Sequence, residues 1–224
     1  MGGLLITGGA GFIGSRLATI ASMKRWNVTV LDNLSTGLQS NVDRLQSIGI
    51  EVNIGDIRDK SLVTNLVSNS TAVVHLAAQV SVPISIENPE ETMEINVQGT
   101  QNVIDSCVEK GVNRLVVASS AAVYGEAETL PLKEEAAGDL LSPYAESKWT
   151  NEQQIIEARS KGLQASCLRF FNVYGAGQRP DGAYAAVIPK FADMMAQGTP
   201  PRINGDGGQT RDFVHVDDIV HANI

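Results

Sequence analysis

The 224-residue chain carries 17 Lys+Arg against 25 Asp+Glu, a formal net charge of −8, with 43% hydrophobic residues, 5% aromatics and 21 glycines. A chain this long and this apolar buries a core without disulfide or metal staples and is not disordered. Its acidity argues against nucleic acid or an anionic membrane surface as the main partner.

Cys107 and Cys167 lack metal-ligand spacing, so they read as buried, reduced thiols, and no metal is expected. No run approaches the ~20 apolar residues of a membrane helix, and none resembles a signal peptide. Position 6 is Ile where N-myristoylation needs Ser or Thr. The expected location is cytoplasmic.

Leu4–Thr7 is a short apolar run that leads through Thr7-Gly8-Gly9-Ala10-Gly11-Phe12-Ile13-Gly14 into a helical period over Phe12–Lys24. The glycines fit the dinucleotide fingerprint as Gly9-x-Gly11-x-x-Gly14 or Gly8-x-x-Gly11-x-x-Gly14. They allow a tight turn and close approach of backbone N–H groups to a pyrophosphate at a helix N-terminus. A second run, Val28–Leu31, ends at Asp32, placed to accept both ribose hydroxyls of NAD and to repel the 2′-phosphate of NADP.

Beyond a polar loop at Asn33–Ser40 come a strand at Val52–Ile54, a helix at Ser61–Ser68 and a strand at Ala72–Leu76. A helix over Glu90–Lys110 stops at Gly111, and a strand follows at Arg114–Ala118. After the polar loop Gly125–Leu141, Ser142 and Pro143 cap and open a helix over Pro143–Lys161, stopped by Gly162. The strand Ala165–Phe170 and the loop Asn172–Ala183 follow. Continuous apolar strands alternating with helices predict an α/β fold, a doubly wound parallel sheet whose ligands collect at the strands' C-terminal ends. The expected division is a Rossmann domain over 1–171 and a smaller, partial substrate-binding region over 172–224. The chain stops inside an element at Ala222-Asn223-Ile224, so the remainder of that region is expected to be missing.

Tyr144 and Lys148 stand at i, i+4 on the helix opened by Pro143, downstream of Ser119-Ser120 at a strand end. An ammonium beside a phenol favours the phenolate, so Lys148 is expected to lower the Tyr144 pKa toward general-base range. His75, in an apolar run, is expected to pack. Glu134-Glu135 and Asp217-Asp218 read as solvated loop or helix starts, and Tyr124 and Tyr174 as packing or pocket-edge residues.

In their order, the fingerprint, Asp32, Asp56-Ile57, His75-Leu76-Ala77-Ala78, Asn96-Val97-Gln98-Gly99-Thr100, Ser119–Gly125 and Tyr144-x-x-x-Lys148 resemble the extended short-chain dehydrogenase/reductases. Arg169–Gly175 and Gly205–Asp217 are similar to the nucleotide-sugar branch, particularly UDP-glucose 4-epimerases. The resemblance implies an NAD-dependent enzyme acting on a nucleotide sugar, a UDP-hexose first. It implies that Gly8, Gly11, Phe12, Ile13 and Gly14 line the pyrophosphate, with Asp32 and Asn33 at the adenine ribose and Asp56 and Ile57 at the adenine. Leu76, Ala77, Ala78 and Asn96 would line the inner cofactor pocket. Tyr144 would be the base, Lys148 its electrostatic partner and ribose ligand, and Ser120 the second group on the sugar hydroxyl. Asn172 and Arg211 would hold the diphosphate, Val187 and Arg202 the nucleoside. Relatives often form homodimers through helices equivalent to Glu90–Lys110.

In this resemblance, 4,6-dehydratases carry an Asp-Glu pair just after the catalytic Ser/Thr, and UDP-glucuronate decarboxylases a Glu at the second position. Here the two positions are Ala121 and Ala122, which transfer no proton. Epimerisation, in which a 4-keto sugar turns over and regains its hydride on the other face, is therefore favoured over dehydration and decarboxylation. A non-catalytic, redox-sensing or scaffold NAD(H)-binding role is the alternative of another class, but it has no use for Tyr144, Lys148 and Ser120.

Overall fold

The computed structural model describes residues 2–126, 129–181 and 186–224. Residues 127–128 of the predicted loop Gly125–Leu141, and 182–183 of the predicted loop Asn172–Ala183, lie outside the described residues.

Six parallel strands form one sheet: β1 (Gly3–Thr7), β2 (Asn27–Asp32), β3 (Glu51–Ile54), β4 (Ala72–His75), β5 (Arg114–Ser120) and β6 (Ala165–Phe170). Their order, β3-β2-β1-β4-β5-β6, reverses direction between β1 and β4, which opens a crevice at the strands' C-terminal ends. Side chains alternate across the sheet. Leu5, Leu31, Val73, Leu115 and Val117 pack on one face under α3 (Lys60–Val67), α6 (Gly99–Lys110) and α7 (Pro143–Ser160). Leu4, Ile6, Val28, Val30 and Val74 pack on the other, under α1 (Phe12–Met23) and α2 (Gln39–Ser47). Both faces are covered, which is why these strands read as continuous apolar runs.

The predicted punctuation holds. Ser142 Oγ accepts from the Ala145 N–H at 3.1 Å, and Gly111 closes α6 in the left-handed region at φ 66°. The predicted single helix Glu90–Lys110 is instead α5 (Pro89–Met93), a π-turn (Glu94–Gln98) and α6. Not anticipated were α2, α4 (Val82–Glu87), α8 (Val187–Ala196) and a parallel pair, β7 (Asn172–Tyr174) with β8 (Phe213–His215).

Helix α9 (Val216–Asn223) begins at the Asp217-Asp218 pair and returns to the large sheet. Its Val220 is fully buried in the same cluster as Leu17, Ala18 and Ala21 of α1, and Arg16 meets Asp217 at 2.7 Å. Among the described residues, no helix is long and apolar enough to cross a membrane.

Candidate active site

The chain leaves β1 at Thr7 and turns at once. Gly8 donates its N–H to Leu31 O at 2.8 Å and sits at φ +71°, where a Cβ would lie 2.7 Å from the Ala77 nitrogen. A Cβ on Gly14 would lie 2.2 Å from Gly8 O. Only glycine permits this backbone-on-backbone turn. Gly11 is the N-cap of α1 without a side-chain cap, so the first-turn N–H groups of Phe12, Ile13 and Gly14 have no intrahelical acceptor. They form the positive end of the helix dipole, where a pyrophosphate is favoured.

Asp32 ends β2 only 7% exposed, its carboxylate fixed over the turn by the N–H groups of Ala10 and Leu34, both at 2.8 Å. A glycine cradle beside a fixed acid at the end of the second strand fits a dinucleotide with free ribose hydroxyls. Asn33 donates to Asp56 at 3.2 Å, and the Arg58 guanidinium on Asp56 holds that carboxyl down to about 2. Ile57 is buried under Gly99, where a Cβ would meet its Cδ1 at 2.5 Å. Leu76 and Ala77 donate their N–H groups to Thr7, at 3.1 Å to its carbonyl and 3.3 Å to its hydroxyl, which brings the Leu76–Ala78 segment against the cradle. Asn96, inside the π-turn, is fully buried. It accepts from Gln79 N at 2.8 Å and donates to Gln79 O and Ser147 Oγ, both at 2.9 Å. Its amide is committed to bracing the segment after β4 against α7.

Ser120 closes β5, and its hydroxyl accepts from Ala122 N at 3.1 Å in a short 3-10 turn over Ala121–Tyr124. Tyr144 and Lys148 project from α7, which Ser142 and Pro143 start. Tyr144 is further anchored by its N–H to Ser85 Oγ at 3.1 Å. Lys148 is 4% exposed and donates to Ala118 O at 2.9 Å; burial pulls its pKa down to about 8. The expected lowering of the Tyr144 phenol is not what the protein groups produce. Burial raises it above the ordinary value, and the Ser120 hydroxyl only partly opposes that. The helical spacing of Tyr and Lys is visible in sequence, whereas the desolvation of both is not.

His75 packs as expected, held between Thr7 at 2.7 Å and Thr100 at 2.9 Å. On the substrate side, Asn172 of β7 donates to Asp212 O at 2.8 Å, which sets it beside Arg211. Val187, Arg202 and Arg211 are exposed, and no hydrogen bond or ion pair among the described residues joins the first two to Asn172. A 430 Å³ cavity lies nearby, walled by Tyr174, Gly177, Gln178, Pro180, Ile188 and Asp193. Arg169, which the sequence offers only as the first residue of the Arg169–Gly175 motif, and Glu152, which it does not single out, form a nearly buried ion pair under α7. The signal for Glu152 was its place four residues after Lys148 and eight after Tyr144.

The chain matches the model of the NAD dependent epimerase/dehydratase family over residues 4–224. A Methanocaldococcus jannaschii protein, described provisionally as a UDP-glucose 4-epimerase, is 42% identical over 99% of this chain and 72% of its own length. The UDP-N-acetyl-alpha-D-glucosaminuronate decarboxylase of Bacillus cytotoxicus is 36% identical over 98% of this chain and 69% of its own. A solved UDP-N-acetylglucosamine 4-epimerase from Methanobrevibacter ruminantium, in complex with UDP-N-acetylmuramic acid, superposes with a TM-score of 0.93 at 36% identity, covering 99% of this chain and 71% of the other. With the strand order, the glycine cradle and the Ser120, Tyr144 and Lys148 arrangement already in view, these matches identify the chain as a member of the NAD dependent epimerase/dehydratase family, an NAD-dependent nucleotide-sugar enzyme.

Proposed function

We propose that the protein interconverts UDP-glucose and UDP-galactose by 4-epimerisation. The observation that carries this reading is the turn after Ser120, where Ala121 and Ala122 present methyl groups and no acid. Elimination of water without a positioned acid forfeits roughly 10²–10⁴ in rate. Epimerisation needs one base only.

NAD, when bound, supplies a hydride acceptor and donor at the sugar carbon. Tyr144 takes the hydroxyl proton as that carbon is oxidised and returns it afterwards. Ser120 holds the same hydroxyl in line with the phenol. Lys148, with a pKa of about 8, is an ammonium at neutral pH one turn along α7 from Tyr144, while the Ser120 hydroxyl opposes the rise that burial imposes on the phenol. Asn172 and Arg211 would grip the diphosphate, with Arg202 and Val187 at the nucleoside, so that the sugar is free to turn. In this scheme residues 1–171 hold NAD and 172–224 begin the substrate side, with α9 folding back onto α1. A homodimer through the helices of the 90–110 region belongs to the same proposal, supported by the half-exposed Val108 on α6.

The test is incubation of the NAD-loaded protein with UDP-glucose. UDP-galactose is the expected product, and Tyr144→Phe should lower kcat by roughly 10²–10⁴ while NAD binding persists. A 4-keto-6-deoxy sugar would install the dehydratase reading, and a decarboxylated sugar from a UDP-uronate the decarboxylase. Turnover of UDP-N-acetylglucosamine alone would move the substrate to the N-acetylated sugars. NAD binding without any turnover would favour a sensing or scaffold role.

A further inference from the structure

Beneath the Tyr144–Lys148 stripe lies a polar cluster that binds neither sugar nor dinucleotide in the scheme above. Arg169 of β6 lies directly across from Ser119 of β5. Its guanidinium forks onto Glu152 of α7, Nε to Oε1 at 2.9 Å and Nη2 to Oε2 at 2.8 Å. The remaining nitrogen, Nη1, donates to the Tyr124 hydroxyl at 3.0 Å and to Glu134 O at 2.7 Å. The guanidinium carbon also lies 4.9 Å from the centre of the Tyr124 ring. Ser119 Oγ donates to Glu152 Oε1 at 2.5 Å. The two charged side chains are 15% and 10% exposed.

Five parts of the chain thus meet at one ion pair: the end of β5, the turn carrying Tyr124, the loop at Glu134, β6 and α7. Stability alone does not call for this. A buried ion pair is often no more stabilising than apolar groups of the same volume, whereas a planar guanidinium fork fixes orientation. Glu152 is the third member of the stripe that begins with Tyr144 and Lys148 at successive i, i+4 steps. Ser119 immediately precedes Ser120. Tying these two together sets the height of α7 against the end of β5.

We infer that Glu152 and Arg169 are positioning residues of the active site, holding Tyr144 and Lys148 in register with Ser120. The inference rests on Tyr144 being the base but not on which sugar is turned over. A second consequence is electrostatic. The pair lies about 12 Å along the helix from Tyr144, eight residues at ~1.5 Å each, and its two charges cancel at that distance. Among the described residues, the other titratable residues beside it are Lys148 of α7, Cys167 of β6, Tyr124, and Glu134, whose carbonyl accepts from Arg169. The Cys167 thiol, pushed up to about 12 chiefly by burial and next by the Glu152 charge, registers the same field.

The experiment titrates Tyr144 in the NAD-loaded protein by phenolate difference absorbance, with Tyr144→Phe as the blank. Glu152→Gln leaves the Arg169 charge uncompensated and should move the titration down by about half to one pH unit. Arg169→Met leaves Glu152 uncompensated and should move it up by a similar amount. The double variant restores neutrality, so its titration should return toward that of the parent. Its kcat should nevertheless fall roughly tenfold or more, with KM nearly unchanged, because the register is lost. Arg169→Lys should recover the titration but only part of the rate. Singles that leave the titration in place or shift it in one common direction overturn the inference, as does a double with parental kcat. Where a single variant fails to fold, the double and Arg169→Lys decide. A parent that turns over no sugar nucleotide defeats the proposed activity, while the titration still judges the pair.

Discussion

His75 is a titratable ring that the fold keeps neutral. It is 2% exposed between two threonines, and burial, helped by the Lys148 charge, holds its pKa down to about 3 from 6.5. The unfolded chain therefore takes up a proton that the folded protein refuses. Stability is fully present above pH 6.5 and drains away as pH falls from there toward 3. Unfolding free energy should drop by about 2 kcal/mol between pH 7 and pH 5 from this residue alone, read as a lower urea midpoint. His75→Asn should flatten that part of the slope. That His75 packs was legible from the apolar run around it. The direction of the Tyr144 shift was not, because spacing reveals the neighbouring ammonium but says nothing of how thoroughly the phenol is desolvated.

At the scale of elements, strands were easy to read because both faces of the sheet are covered, and each strand is apolar throughout. Helices with weak or misleading patterns were not. Only Val42 and Leu45 of α2 are buried, too few to show a period. Helix α4 alternates Val82, Ile84 and Ile86 like a strand, yet the Ser81 cap and Pro83 in its first turn make it a helix. The π-turn adds one residue to a helical path, and periodicity over twenty residues absorbs that slip unseen. What the π-turn accomplishes is visible in Asn96, which turns inward to hold Gln79 and Ser147. Asn96→Ala should cost about 1–3 kcal/mol by leaving those buried groups unpaired. It should also weaken NAD binding, because the segment braced on Asn96 lies against the glycine cradle. Thermal melts and NAD titration check the two effects separately. The chemical stripe on α7 was legible in its first two members, while its third, Glu152, became meaningful only when β6 brought Arg169 to it from 17 residues away.

Across the whole molecule, the alternation of strand and helix was enough to give the parallel sheet and its ligand edge. The destination of α9 was not predictable, since an amphipathic helix does not announce which surface it covers. Val220 fills the space above Leu17, Ala18 and Ala21, and Asp217 reaches Arg16 on the surface beside it. Removing residues 216–224 should expose that apolar face of α1 and lower Tm markedly. Arg16→Ala should barely move Tm, because an exposed pair in water contributes little. Differential scanning calorimetry of the two variants ranks packing against charge. Equal effects would mean that the ion pair, not Val220, secures the helix.

The covering of α1 by α9 also sets a timetable for biosynthesis. The two paired residues, Arg16 and Asp217, are separated by 201 positions. At about 5–20 residues per second of translation, α1 waits roughly 10–40 s on the ribosome with its outer apolar face bare. Nascent chains stalled before residue 216 should therefore be captured by chaperones and cut by protease within α1, and chains extended past α9 should be spared.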